Sequence, residues 1–201
     1  MVYVNIILLW TAFGFLHSFL ISRWMMKIMQ ARLGRYYAFY RLGYNIFSLL
    51  TFIPPYLYTK SVSTPLAYSF SGWRWLQFGL LVLALGLMLG AFLTYDLKEF
   101  LGIKQAQTFK RPGTVAAPRH TRIVKQGLLA WVRHPIYLGT IVFLWSMDST
   151  WAEVVAKGVM TLYILVGIRL EEQKLVAEFG EEYRRYQQEV PMLLPWRRNK
   201  V

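Results

Sequence analysis

The chain has 201 residues, of which 56% are hydrophobic and only 16% are charged, whereas a soluble domain typically carries about a quarter charged residues. Its net charge of +13 comes from Lys and Arg residues that cluster beside long apolar runs, which disfavours nucleic acid as the partner and indicates membrane lipid. Cysteine is absent, which excludes disulfides, thiolate metal sites and a cysteine nucleophile, and no metal site is predicted.

Three apolar runs within residues 1–95 each have the length of a membrane span. The start of the chain lacks the basic segment and the small-residue cleavage site of a secretory signal, so we interpret the first run as a retained span. A stretch after the first run alternates basic and apolar residues, which predicts a short interfacial helix. The predicted spans are residues 3–21, 36–58 and 73–95, and the interfacial helix covers residues 22–35.

Two local features bear on the packing of these spans. Pro54 and Pro55 interrupt the second span, and because proline lacks a backbone N–H, we expect them to kink or end that helix. In the third span, Gly79, Gly86 and Gly90 suit close packing against a neighbouring helix.

The second half of the chain predicts a loop, a helical hairpin and a tail. Residues 96–134 are polar and rich in Pro and Gly, which indicates a folded loop. Two apolar runs within residues 135–170 are separated by a few polar residues and predict a helical hairpin. In residues 171–201, apolar side chains recur at helical spacing, which predicts an amphipathic helix that packs on its own protein or on the bilayer surface. This apolar stripe consists of Leu175, Phe179, Tyr183, Tyr186 and Val190.

The distribution of basic residues predicts the orientation in the membrane. Nineteen of the 23 Lys and Arg residues lie in 23–35, 96–134 and 169–201, and only Lys60 and Arg74 lie between the second and third spans. By the positive-inside rule the three basic segments are cytoplasmic, which requires an odd number of crossings. The chain is therefore predicted to be a single all-α integral membrane domain with about five transmembrane helices. Its N-terminus would lie outside and its C-terminus in the cytoplasm.

Two polar motifs are expected to meet at the cytoplasmic side, because the hairpin returns the chain to the face where it began. Arg133, His134 and Tyr137 precede the hairpin, while Arg169, Glu171 and Glu172 follow it. Ionisable groups that converge at a membrane surface are costly without a function. Each also has an ordinary structural explanation, since Arg133 could serve as a topology determinant and the two glutamates as surface charges.

The motifs "RHPIY" and, about thirty residues later, "EEQKLVAEFGEEYRRYQQEVP" resemble the isoprenylcysteine carboxyl methyltransferase superfamily of integral membrane enzymes. The segments "LHSFLISR", "YRLGYNIFSLL" and "YDLKEFLGIKQ" resemble its nurim-like branch, which includes methanethiol S-methyltransferases. The resemblance implies a methyltransferase of a bacterial inner membrane that uses S-adenosylmethionine. The cofactor-binding residues that it implies are Thr121, Arg122, Ile123, Val124, Arg133, His134, Pro135, Ile136, Tyr137, Glu171 and Glu172.

Three positions depart from the family pattern. Thr121 stands where the family has a histidine, and Leu129 replaces a tyrosine that contacts the cofactor. Gly167 stands where the prenylcysteine enzymes carry the arginine that binds the substrate carboxylate. The acceptor is therefore expected to be a small or lipophilic thiol rather than a prenylcysteine.

The chemistry of a thiol acceptor points to three candidate catalytic residues. A nearby cation lowers the pKa of a thiol, and Arg169 and Arg41 are the candidates for that cation. His17 is the third candidate, although His17, Arg41, Tyr44 and Asn45 could equally hydrogen-bond to one another within the bundle. The alternative functions are methylation of a phospholipid amine or a prenylcysteine carboxylate, and a non-catalytic membrane scaffold. A nicotinamide-dependent sterol reductase ranks lower because the cofactor glutamate is present. The oligomeric state is left open.

Overall fold

The computed structural model describes residues 1–94, 97–109 and 123–195, and these residues are mostly helical. The only strands in them are two short segments that pair with each other. The prediction of an all-α protein is therefore confirmed. The α-helices are α1 (Val2–Leu20), α2 (Arg23–Leu33), α3 (Tyr40–Ser61), α4 (Arg74–Thr94), α5 (Leu97–Phe100), α6 (Ile103–Thr108), α7 (Pro135–Trp145), α8 (Trp151–Phe179) and α9 (Glu181–Glu189); 3-10 helices cover Gly34–Phe39 and Gly127–Ala130, and the strands are β1 (Leu66–Tyr68) and β2 (Ser149–Thr150).

Three helices in the described part of the chain, α1, α4 and α8, are long and apolar enough to cross a membrane. The helix α4 also carries large apolar side chains on its outside, since Phe78 is 69% and Leu93 is 90% exposed. Such side chains face lipid rather than water in a stable protein. The helix α7 is apolar but shorter, with 11 residues. The number of five crossings stays a prediction.

Pro54 and Pro55 do not end the second predicted span, because α3 continues through both prolines to Ser61. Tertiary packing holds this part of the helix in place. Pro55 is buried, and the hydroxyl of Thr59 both donates to the Pro55 carbonyl oxygen at 2.7 Å and accepts from Trp10 Nε1 at 3.0 Å.

The described chain divides into two compact units. The first comprises the described residues within 1–65, 97–109 and 151–160. Its core joins α1 to the first turns of α8 and consists of Ile6, Trp10, Phe13, Ala152 and Ala156, with Phe52 of α3 packed against it.

The second unit comprises residues 66–95, 120–150 and 161–201, and the packing of α7 along α4 is its central feature. A Cβ atom on Gly139 would lie 2.8 Å from Met88 Cγ and 2.9 Å from the Ala84 carbonyl oxygen, so the helices approach as closely as a glycine allows. Of the α4 glycines predicted to pack closely, Gly90 meets Leu128, whereas Gly86 and Gly79 face open space.

The helices α4 and α7 run antiparallel. Their alignment determines how far the Arg-His-Pro-x-Tyr motif lies from the end of α4. Gln77 near the start of α4 donates to the Ser146 carbonyl oxygen at 3.0 Å, just beyond the end of α7. Gly139 lies between Ala84 and Met88, so the first residue of α7 is level with about residue 90. At a rise of ~1.5 Å per residue, the start of α7 lies roughly 6 Å inside the end of α4.

The tail does not begin a separate helix at residue 171, as the predicted domain boundary has it. The helix α8 runs without interruption to Phe179, because no helix-breaking residue stands between Gly167 and Gly180. The break comes at Gly180, whose φ of +58° favours glycine. The predicted apolar stripe then packs on the protein itself. Tyr183, Tyr186 and Val190 form a buried group, here called the tail cluster, against Ile123, Leu175, Val176 and Phe179.

Candidate active site

The Arg-His-Pro-x-Tyr motif forms the start of α7. His134 is the residue that caps this helix, and Pro135 occupies its first turn, where a missing N–H breaks no hydrogen bond. The backbone N–H groups of Arg133 and His134 donate to the carbonyl oxygens of Pro191 and Met192 at 3.0 and 3.2 Å. The described end of the tail is therefore folded back onto the motif.

Arg133 fastens the tail to the rest of the unit. Its Nε atom donates to Glu172 Oε1 at 2.6 Å, and its Nη1 atom donates to the carbonyl oxygens of Gln187, at 3.0 Å, and Val190. The side chain of Arg133 is only 7% exposed. Its Nε and Nη1 atoms are thus used within the protein, and a charge-assisted hydrogen bond in such a site is among the stronger ones.

Glu172 accepts hydrogen bonds from three residues in two separate segments. Besides Arg133, the Nε2 atom of His134 lies 3.3 Å from Glu172 Oε1, and Gln187 Nε2 donates to Oε2 at 3.1 Å. Glu172 is 8% exposed, and Arg133 neutralises its charge. Glu172 of α8 therefore connects the start of α7 with α9 through hydrogen bonds inside the protein.

Glu171, the preceding residue, has different surroundings. It is half-buried and accepts from the hydroxyl of Tyr137 at 2.8 Å. Within residues 1–94, 97–109 and 123–195, no cation forms an ion pair with it. Of the two glutamates, Glu171 is therefore the one whose negative charge is available to a ligand.

Two tyrosines of α9 lie on the side of the site that the tail forms. The hydroxyl of Tyr186 donates to the carbonyl oxygen of Leu129 at 2.6 Å, which ties α9 to the segment before the motif. Burial, followed by the nearby charge of Glu172, raises the pKa of Tyr183. Tyr183 consequently stays neutral at physiological pH. Leu129 itself is buried, so its side chain serves packing at the position of the family tyrosine.

The remaining predicted cofactor residues lie as follows. Ile123, Val124 and Ile136 are half-buried, and Ile123 packs against the tail cluster. Thr121 and Arg122 lie outside the described residues. The structure thus brings most of the predicted cofactor residues into the second unit around the start of α7.

The predicted catalytic residues fall in both units. Arg169 of α8 is exposed and forms no ion pair with a described residue. His17 belongs to the first unit, where the hydroxyl of Tyr44 lies 2.7 Å from its Nε2 atom and Ser48 Oγ lies 3.2 Å from its Nδ1 atom. The predicted alternative, in which these polar side chains hydrogen-bond to one another, is therefore realised for His17 and Tyr44.

Arg41 belongs to the same unit. With the Gln105 amide turned so that its oxygen faces the guanidinium, that oxygen accepts from Arg41 Nη1 at 3.2 Å. The backbone also approaches closely here, since Gly102, with a φ of +86°, lies against Arg41 and Leu42. The role of Arg41 towards an acceptor stays a prediction.

Sequence reasoning missed Gln187 and the tail carbonyl groups that Arg133 binds. Gln187 lies on the polar side of an amphipathic helix, where a solvent-facing position is the ordinary expectation. Backbone carbonyl groups leave no signal in a sequence. The sequence indicated that the two motifs meet across the hairpin, but it did not indicate that Gln187 also contacts them.

Comparison with known proteins places this arrangement in a family. Residues 2–190 match the family described as "Protein of unknown function (DUF1295)". The chain belongs to the DUF1295 family. Its similarity to curated proteins confirms the resemblance to the methanethiol S-methyltransferase branch, and no solved structure matches it significantly.

Several relatives carry that name. Methanethiol S-methyltransferase 1 of Bradyrhizobium diazoefficiens is 52% identical over 73 residues, which are 36% of this chain and 26% of that relative. Methanethiol S-methyltransferase of a Pseudomonas species is 32% identical over 178 residues, or 88% of this chain and 65% of that relative. Methanethiol S-methyltransferase 2 of B. diazoefficiens is 30% identical over 199 residues, or 96% of this chain and 72% of that relative. The chain thus spans less than two thirds of the length of the first two.

Proposed function

We propose that this chain is a membrane methyltransferase that uses S-adenosylmethionine to methylate a small thiol. The names of its relatives support a methyltransferase and a thiol acceptor. The observation that carries the proposal is the half-buried carboxylate of Glu171, oriented by Tyr137 and not neutralised by any described cation.

The chemistry of the side chains fits an amino-acid ligand with a positive charge. Glu171 would hold the ammonium group by a charge-assisted hydrogen bond, and Tyr137 fixes the orientation of that carboxylate. His134 would contribute a ring nitrogen, because only Nε2 is engaged with Glu172. Arg133 and Glu172 would support these groups from behind, since their main hydrogen-bonding atoms are already used within the protein.

When bound, S-adenosylmethionine supplies an electrophilic methyl group on a sulfonium. The chain must then align the acceptor sulfur and exclude water. The start of α7 lies roughly 6 Å inside the end of α4, an apolar helix long enough to cross a membrane, and this depth favours both. Arg169 and Arg41 remain the candidates for a cation that stabilises a thiolate.

A small neutral acceptor also suits position 167. Gly167 lies on α8 one turn before Glu171, and no described atom lies within 4 Å of where its Cβ would be. No guanidinium is therefore supplied at the position from which the prenylcysteine enzymes bind a substrate carboxylate. This departure favours a thiol over the alternative carboxylate acceptor.

The proposed location is a bacterial inner membrane, with the N-terminus outside and the site on the cytoplasmic side. β1, between α3 and α4, pairs with β2, between α7 and α8, so these two connections lie on the same side. Arg74 is paired there with Asp148 at 3.2 Å, and Lys60 is paired with Glu153. Only Lys60 and Arg74 flank the connection between α3 and α4, and this scarcity of basic residues supports the positive-inside orientation.

The decisive experiment is a transfer assay with the purified protein in detergent or nanodiscs. The protein is incubated with methyl-labelled S-adenosylmethionine and separately with methanethiol, a longer alkyl thiol, farnesylcysteine and phosphatidylethanolamine. Volatile labelled methyl sulfides are the expected product, and Glu171→Gln is the matched control, with lower transfer expected at a limiting concentration of S-adenosylmethionine. Label only in the lipid fraction would replace the thiol with a phospholipid amine, and no transfer to any acceptor would leave the scaffold alternative.

A further inference from the structure

We propose that Glu172 is a positioning residue that fixes the tautomer of His134, so that the Nδ1 atom of the ring accepts a hydrogen bond from the bound ligand. The identity of that ligand rests on the proposed function, but the positioning of the ring does not. Glu172 has no role of its own towards the ligand in this inference and acts through His134.

The first step is the saturation of the Glu172 carboxylate. It receives Arg133 Nε at 2.6 Å, His134 Nε2 at 3.3 Å and Gln187 Nε2 at 3.1 Å, from two segments of the chain. With 8% of its surface exposed, it has little access to a ligand. Its hydrogen-bonding capacity is directed inward.

The second step is the polarity of the bond to His134. An ionised carboxylate only accepts, so the nitrogen that faces it must carry the proton. Arg133 already neutralises Glu172, which leaves no net negative charge that would demand a second cation. The neutral ring therefore has its hydrogen on Nε2 and a lone pair on Nδ1.

The third step is the accessibility of the other nitrogen. His134 is 6% exposed overall, and its Nδ1 atom makes no hydrogen bond with a described residue. Among the described residues, no fully buried side-chain nitrogen or oxygen atom lacks a partner. Nδ1 is consequently not fully buried, and through its exposed surface it can accept from an ammonium or a hydroxyl group of a ligand rather than bind a carboxylate.

Nitrogen-15 NMR of the ring tests this directly, because the chain contains only three histidines. Protein labelled with nitrogen-15 histidine is measured in lipid or detergent at a pH at which the ring is neutral. Single His17→Gln and His120→Gln variants identify the other two rings. The expected spectrum of the unmodified protein shows His134 protonated on Nε2, and an Nδ1-protonated ring would overturn the inference.

Glu172→Ala gives the second readout, since it removes the oxygen that accepts from both Arg133 Nε and His134 Nε2. We expect that variant to lose the single Nε2-protonated form and to bind S-adenosylhomocysteine about tenfold more weakly. Glu171→Ala is the matched control and should keep the tautomer of the unmodified protein. A Glu172→Ala spectrum identical to that of the unmodified protein would contradict the inference. Failure of the unmodified protein to bind S-adenosylhomocysteine would instead count against the proposed function, and the tautomer result would stand apart from it.

Discussion

Substitution of the two adjacent glutamates of α8 by glutamine should have different main effects. The change at Glu172 should mainly lower the stability of the protein, and the change at Glu171 should mainly lower its affinity for the ligand. Glu172→Gln removes the charge that compensates Arg133, which stays buried. Breaking a buried ion pair from one side costs about 3–5 kcal/mol, and we expect about 3 because the amide oxygen still accepts one hydrogen bond. At ~2–4 °C per kcal/mol for a chain of this size, the denaturation temperature should fall by roughly 6–12 °C.

Glu171→Gln removes a charge that no described cation neutralises, and its amide can still accept from Tyr137. Its stability should therefore change by no more than about 0.5 kcal/mol. Loss of a charge-assisted hydrogen bond to an ammonium group costs about 1.5–3 kcal/mol, or roughly a 10- to 100-fold loss in affinity for S-adenosylhomocysteine.

Two measurements on both variants decide this pair of predictions. Thermal denaturation in one detergent gives the stability, and calorimetric titration with S-adenosylhomocysteine gives the affinity. The reasoning is refuted if Glu171→Gln proves the less stable variant, or if it binds S-adenosylhomocysteine as tightly as the unmodified protein does.

Further predictions address packing, acceptor choice and orientation. Gly139→Ala should destabilise the protein by about 1–3 kcal/mol, because its Cβ would press on α4; Gly86→Ala, which meets open space, should not, and equal melting curves would contradict this packing. Gly167→Arg should fold, since its Cβ has room, and should raise turnover of farnesylcysteine relative to methanethiol, whereas Gly167→Gln should not; an unchanged ratio would remove the role assigned to this position. Arg41→Ala should lower the turnover of thiols more than the affinity for S-adenosylhomocysteine, and equal losses would place Arg41 outside acceptor chemistry. Reporter domains fused to each end should show an external N-terminus and a cytoplasmic C-terminus, and a cytoplasmic reporter at residue 1 would reverse the orientation.

Several local features of the structure differ from the sequence-based predictions because of tertiary packing. The prolines at 54 and 55 remove hydrogen-bond donors, yet α3 passes through them because Pro55 and Thr59 are buried in a core with Trp10. Gly90 was visible as a packing site, but the glycine on which the α4–α7 contact depends is Gly139, in the middle of an apolar run. These outcomes depend on which helix packs against a residue in the folded protein, and a local sequence pattern does not contain that information.

The sequence by itself determined the helical class, the long apolar helices, the apolar stripe of the tail and the pairing of two polar motifs across a hairpin. These follow from the length, periodicity and spacing of residues, which act over a few turns of chain. Only the tertiary structure decided that Glu172 braces the site while Glu171 is left for a ligand. That division depends on partners far away in the chain, such as Val190, whose carbonyl oxygen binds Arg133 across 57 positions. A hydrogen bond over that separation is fixed by how α8 and α9 pack, because the break at Gly180 turns the tail back towards the motif.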